Sequence, residues 1–373
     1  MSDTSSNLLD PGAGPVSLTR QLCDIESVSG NERRIADAVA EVLAAQAPHL
    51  TVHRDGDTLI ARTELGRAQR VAIAGHLDTV PVNDNLPVVE EQDGETGETI
   101  IRGRGTVDMK AGVAVQLALA VELKDPAVDV TWIWYDHEEV SADLNGLGRA
   151  QRNRPDLFAA DFAILGEPTR SAIEGGCNGT MRARVSYLGT RVQSARSWKG
   201  VNAIHRAGGL LERLSAYEAA RVMVDGLEYR EGLNAVRISG GVAGNVIPDR
   251  VDIEVNYRFA PSRTTDEAVE LVREFCADAD EFEVTDLAPG ARPGLDAELA
   301  RGFVEAVGGT PEAKVGWTDV ARFSAQGVPA VNFGPGDPLL AHADDERVPV
   351  RQIEDAHRAL RAWLLGDGAR SAV

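Results

Sequence analysis

The stretch VAIAGHLDTVP, Val71 to Pro81, decides the reading of this chain. Its first five residues are apolar or glycine and show no alternation, as in a strand buried on both faces. Directly behind them stand His76 and Asp78. In open α/β sheets the ligand crevice lies outside the carboxyl ends of the strands. An imidazole and a carboxylate at that point are therefore placed where chemistry is done.

The same grammar repeats outward. VTWIWY (Val130–Tyr135) is followed by Asp136, His137, Glu138 and Glu139. FAILG (Phe162–Gly166) is followed by Glu167, and VPAVNF (Val328–Phe333) leads through a Gly/Pro turn to His342. AGVAVQLALAVEL (Ala111–Leu123) reads as a well-buried helix, with Asp108 just before it in GRGTVDMKAG. Apolar runs alternating with helical patterns imply an α/β domain with a mostly parallel central sheet. Upstream, Ser29 and Glu32 have the spacing of a capping box, with Ile35, Val39, Val42 and Leu43 as the apolar stripe behind it.

The middle of the chain follows another rule. MRARVSY (Met181–Tyr187) and VDIEVNYRF (Val251–Phe259) alternate apolar and polar, as strands with one wet face do. Around them lie a helix pattern from Val201 to about Ala220, a strand at Asn234–Gly240, a helix at Asp266–Phe275 and a short strand at Phe282–Thr285. The order β-α-β-β-α-β predicts an inserted α+β, ferredoxin-like domain. The expected organisation is a flexible tail over 1–15, a first domain over 16–178 and 293–373, and an inserted domain over 179–292.

Bulk composition excludes several classes. Lys and Arg number 38 against 58 Asp and Glu, a net charge of −20, which repels phosphate backbones and speaks against nucleic acid. The three cysteines, Cys23, Cys177 and Cys276, form no CxxC, so neither a thiolate zinc site nor a disulfide framework follows. No membrane span or signal peptide is evident, and a reducing cytoplasm fits.

Each site candidate alone has an ordinary explanation. A histidine after a strand is usually a hydrogen-bonded loop residue, adjacent glutamates are usually solvated, and Asp108 could cap a helix. Together, in register at strand and helix ends, they predict a metal site. Imidazoles and carboxylates without thiolates suit Zn²⁺, with Co²⁺ or Mn²⁺ as substitutes. Three acidic and two imidazole ligands make two three-ligand sites only if one carboxylate, Asp108, is shared. Asp78 is expected to accept the second imidazole N–H of His76. Of Glu138 and Glu139, one can bind metal while the other acts as general base.

GHLDTVP (Gly75–Pro81), GTVDMKAG (Gly105–Gly112), DHEEV (Asp136–Val140), ILGEPT (Ile164–Thr169) and AHADDE (Ala341–Glu346) resemble the co-catalytic zinc peptidases and deacylases. Within that family the chain is similar to the actinobacterial succinyl-diaminopimelate desuccinylases over nearly all of its length after the tail. The resemblance implies two Zn²⁺ per chain, one held by His76, Asp108 and Glu167 and the other by Asp108, Glu139 and His342. It makes Glu138 the base and Asp78 the partner of His76. It implies that 16–178 with 293–373 is the catalytic metal-binding domain, that 179–292 is a lid through which the chain forms a homodimer, and that the reaction is hydrolysis of N-succinyl-L,L-diaminopimelate, a step of lysine and cell-wall synthesis. Arg258 and Asn245 become substrate contacts; the plain alternative for Arg258 is an outward residue on a wet strand face.

The chain also departs from that family. Its lid segment resembles AHSARSW, whose histidine reaches the partner subunit's site and helps stabilise the oxyanion, but here VQSARSW places Gln193 at that position. Glutamine donates a neutral N–H and cannot carry a proton. Arg104 and Ala321 stand where the resemblance expects cysteine and serine, and Asn178, a further candidate substrate contact, where it expects glutamine. These departures leave open a working desuccinylase, a paralogue acting on another N-acyl or peptidyl amino acid, and a catalytically quiet binding relative.

Overall fold

The structure, a computed structural model, describes residues 9–366. They form two compact units: the described residues up to Gly175 with Gly294–Glu312 and the residues from Arg322 onward, and Gly176–Pro293 with Ala313–Ala321.

The first unit is built on an eight-stranded sheet. Four strands run parallel in the order Asp129–Tyr135, Arg70–His76, Phe162–Leu165, Ala330–Asn332. The antiparallel hairpin Thr51–Asp55 and Thr58–Arg62 extends the Asp129–Tyr135 side. Every residue of Asp129–Tyr135 is buried, which explains its unbroken apolar run. The helix Lys110–Glu122 is buried from Lys110 to Ala120 and has no wet face. Burying each of its Val and Leu side chains contributes roughly 1.5–3 kcal/mol. Its close approach requires Gly112, where an added Cβ would lie 2.1 Å from the Gly166 carbonyl oxygen.

Two expectations are corrected here. The flexible tail does not extend to residue 15. Leu9 and Pro11 are buried, Asp10 caps a short 3-10 turn at Pro11–Ala13, and a helix runs from Gly14 to Cys23. Residues 1–8 of that tail lie outside the described residues. A helix does begin at Arg33, with Ile35, Val39, Val42 and Leu43 buried, but Ser29 and Glu32 form no capping box. The Ser29 hydroxyl donates to Asp78 (2.6 Å), and the buried Glu32 carboxylate accepts from the main-chain N–H of Gly30 and His137.

The second unit holds a four-stranded antiparallel sheet in the order Gly232–Gly240, Arg250–Phe259, Gly179–Leu188, Glu281–Ala288. Taken in chain sequence as strands one to four, this is the order 2-3-1-4 of a ferredoxin-like sheet. Met181, Ala183 and Val185 point into a core with Leu210 and Val272, while Arg182 and Arg184 are exposed. The helix expected from Val201 is two short ones, Ala203–Arg206 and Gly208–Ser215. A hairpin, Arg221–Val224 with Leu227–Arg230, was not anticipated. The strand Gly232–Gly240 is a sheet edge, and its residues from Asn234 onward are exposed.

Candidate metal centre

The parallel strands deliver their loops to one edge of the first unit. His76 is the last residue of its strand, and its Nε2 lies 2.9 Å from Asp108 Oδ1. His342 Nε2 lies 3.0 Å from Glu139 Oε1 and 3.4 Å from Asp108 Oδ2. Asp108 thus turns one oxygen to each histidine. His342 adopts φ 65°, a left-handed conformation that costs a side-chain-bearing residue on the order of 1–3 kcal/mol.

Three groups bring ligand atoms within 4.8 Å of one another: His76, Asp108 and Glu167; Asp108, Glu139 and His342; and His76, Glu138 and Glu139. The first two share Asp108. All their donors are imidazole nitrogen or carboxylate oxygen, a set suited to a divalent first-row cation. Electrostatics agrees. Burial opposes charge on Asp108, yet hydrogen bonds from His342 and His76 hold its carboxyl well below the usual range. Burial also opposes a proton on His76, but Asp108 and Asp78 outweigh it and raise its pKa. Hydrogen bonds to Asp108 and Glu139 push His342 up to about 10. The cluster favours positive charge at the position a cation would take, so the residues fit a metal.

Asp78 works differently from the expectation. The His76 Nδ1 partner is the main-chain oxygen of Asp78 at 2.9 Å; the nearer carboxylate oxygen is 3.6 Å away, beyond a hydrogen bond. The carboxylate is engaged elsewhere: Oδ1 accepts the Glu138 N–H, and Oδ2 accepts the Glu139 N–H and the Ser29 hydroxyl. Asp78 therefore fixes the backbone of the two glutamates, while its carbonyl orients the imidazole.

Reading residue types along the chain missed the other supports. Arg149 forks onto both oxygens of Asp136, which also accepts from Thr58 and pairs with His137 Nδ1 at 2.7 Å. This anchors the start of the loop carrying Glu138 and Glu139. Glu346 and Arg104 grip the segment that ends in Asp108. The only sequence signal for Glu346 was its place at the end of AHADDE.

The four candidate substrate contacts lie in the second unit. Gln193 pairs with Val246 in a two-residue ladder, and Ser194 N–H donates to the Asn245 carbonyl at 2.8 Å, so Gln193 and Asn245 are neighbours. Gln193 is exposed at the start of the turn Ser194–Lys199. The Arg258 guanidinium has no hydrogen-bond or ion-pair partner among the described residues, and burial lowers its pKa. Asn178 is not on the surface. It is 1% exposed, and its Nδ2 donates to the Arg230 carbonyl.

A profile of the peptidase family M20/M25/M40 matches residues 72–366. The succinyl-diaminopimelate desuccinylase of Corynebacterium glutamicum is 48% identical over 368 residues, covering 95% of this chain and 97% of that protein. A Mycobacterium tuberculosis protein carrying a provisional form of the same name is 52% identical over 360 residues, covering 96% and 100%. Among solved structures, a Staphylococcus aureus tripeptidase superposes with a TM-score of 0.77 at 20% identity, over 97% of this chain and 100% of that one. A Bacillus subtilis dinuclear metal-binding peptidase does so with 0.66 at 16%, over 96% and 99%. The structural likenesses speak to fold; the span of the profile and the identity to full-length relatives place the chain in the M20/M25/M40 peptidase family.

Proposed function

We propose that this chain is a metal-dependent amide hydrolase that removes succinate from N-succinyl-L,L-diaminopimelate, a reaction of lysine and diaminopimelate biosynthesis. The observation that carries the reading is the pair of three-donor groups sharing Asp108, in a chain about half identical over its length to named desuccinylases. His76, Asp108 and Glu167 are assigned to one zinc ion, and Asp108, Glu139 and His342 to the other. Bound there, the cations supply Lewis-acid polarisation of the scissile carbonyl and acidify water.

The chain's own residues do the rest. His76 is held in one tautomer, Nδ1–H to the Asp78 carbonyl, which leaves Nε2 as the ligand atom. Glu138, its backbone fixed by Asp78, takes the proton of the attacking water and passes it to the leaving amine. Arg258, a guanidinium without a partner among the described residues, is suited to receive a substrate carboxylate. Gln193 and the adjacent Asn245 supply neutral donors. Asn178 stays a candidate contact: its Nδ2 is held by the Arg230 carbonyl, and its buried Oδ1 has no hydrogen-bond partner among the described residues.

The assignment of 179–292 as a lid and dimerisation domain is part of the same proposal. The exposed edge strand Gly232–Gly240, with Val236 and Ile238 facing water, supports a homodimer. Among the described residues no helix is long and apolar enough to cross a membrane. Three buried free cysteines support a cytoplasmic site.

Gln193 favours a second reading, a paralogue with another N-acyl or peptidyl substrate. A substrate panel with added zinc decides between them. Succinyl-diaminopimelate is expected to give the highest kcat/KM. A tenfold higher value on another N-acyl amino acid or a dipeptide would overturn the first reading.

A further inference from the structure

Beneath the metal centre lies an ion pair that no step above uses. Arg104 is 3% exposed and Glu346 1%. Removing two charges from water costs about as much as their attraction returns, so such a pair is a weak source of stability. What it holds is more informative. Glu346 Oε1 accepts the main-chain N–H groups of Val107 (2.8 Å) and Asp108 (3.1 Å). Its Oε2 accepts the Gly105 N–H and Arg104 Nη1, both at 3.0 Å. The Glu346 carbonyl accepts the Gly103 N–H. One carboxylate thus receives three N–H groups of the segment that ends in Asp108, and it stands four residues after His342. Arg104 also donates to the carbonyls of Pro81 and Ala343.

We propose that Glu346 is a positioning residue that fixes the placement of Asp108 relative to His342, and that Arg104 acts through it by supplying its counter-charge. The inference rests on the reading of Asp108, Glu139 and His342 as a cation site. The direction of the Asp108 side chain follows its backbone, and that backbone is pinned at its own N–H. With an amide in place of the carboxylate only one oxygen accepts, so the N–H groups at the other position, Gly105 with Arg104 or Val107 with Asp108, meet a donor and the segment shifts to recover an acceptor. Asp108 then no longer presents an oxygen to each histidine.

The test is zinc titration against a competing chelator, using chelator-stripped wild type, Glu346→Gln, Arg104→Met and the double variant, with a melting curve for each stripped protein. Wild type is expected to take up two equivalents; fewer would overturn the metal reading itself, apart from this inference. Glu346→Gln is expected to weaken at least one equivalent by about 10–100-fold, the usual effect of removing a group that orients a ligand. Arg104→Met is expected to weaken the same equivalent by less, and the double variant to match Glu346→Gln. Wild-type zinc affinity in a Glu346→Gln protein that merely melts earlier would reduce the residue to fold support and overturn the proposal. Additive losses in the double variant would overturn the route through Glu346. Should Glu346→Gln fail to fold, Glu346→Asp carries the test: it keeps the charge but draws the carboxylate back from the Gly105, Val107 and Asp108 N–H groups, and unchanged zinc affinity there overturns the proposal.

Discussion

The two units use their sheets in opposite ways. In the first, the parallel strands are buried on both faces, and polar residues collect where the strands end. In the second, the antiparallel strands Arg250–Phe259 and Glu281–Ala288 alternate along their length, and the middle of Gly179–Leu188 does too, with Met181, Ala183 and Val185 inside and Arg182 and Arg184 outside. A sheet wetted on no face has only its ends for chemistry, whereas one with a wet face and an open edge has surface to offer a ligand or a second chain. Under the proposed function, cation binding and proton transfer fall to the first unit and recognition to the second.

Substitutions test that division. The largest effect is expected from Asp108→Asn, whose carboxylate serves both proposed cations: zinc content falls from two per chain, and kcat drops by at least about 10⁴-fold with the loss of several kcal/mol of carbonyl polarisation. Elemental analysis and steady-state kinetics check both; full activity with two zinc ions would break the assignment. Next comes Glu138→Gln, expected to lower kcat by about 10²–10⁴-fold while zinc content is kept, as for loss of a general base. Loss of zinc along with activity would make Glu138 a ligand instead, consistent with its place beside His76 and Glu139.

In the second unit, Arg258→Met is expected to raise KM by about 10–100-fold, from roughly 1.5–3 kcal/mol for a hydrogen bond to a charged group, and to leave zinc content unchanged. A change in zinc content would blur the division between the units. The smallest effect belongs to Gln193→His, expected to raise kcat on succinyl-diaminopimelate by about 2–10-fold, a part of the roughly 2.7–4 kcal/mol carried by an oxyanion donor. No gain would favour a different substrate.

The parts legible in the sequence were those set by burial and period. The parallel strands, the helix Lys110–Glu122 and the alternating strands of the second unit follow from which faces are dry. His76, Glu139, Glu167 and His342 could be singled out because they stand at or after the ends of buried strands, and Asp108 because it stands just before the buried helix. Partners of polar side chains were not. Ser29 and Glu32 have the spacing of a capping box and serve Asp78, Gly30 and His137 instead, whereas Thr264 and Glu267 form a true box before the helix Thr265–Phe275. Both pairs have the same spacing; the difference is a neighbouring carboxylate, Asp78, that comes 49 positions after Ser29. Asp78 itself was legible as a support of His76, but which of its oxygens the ring meets depends on donors from two other loops.

The first unit is interrupted in the chain by the second, and this bears on its synthesis. Its last parallel strand pairs Ala330 with Ala163, 167 positions apart. At roughly 5–20 residues per second on the ribosome, on the order of 10–30 s pass between making one partner and the other. Throughout that interval the strand Phe162–Leu165 lacks one neighbour, while the four strands of the inserted unit's main sheet, from Gly179 to Ala288, are all made within it. The insertion is thus placed to fold first, and the half-built sheet is the species that chaperones would meet.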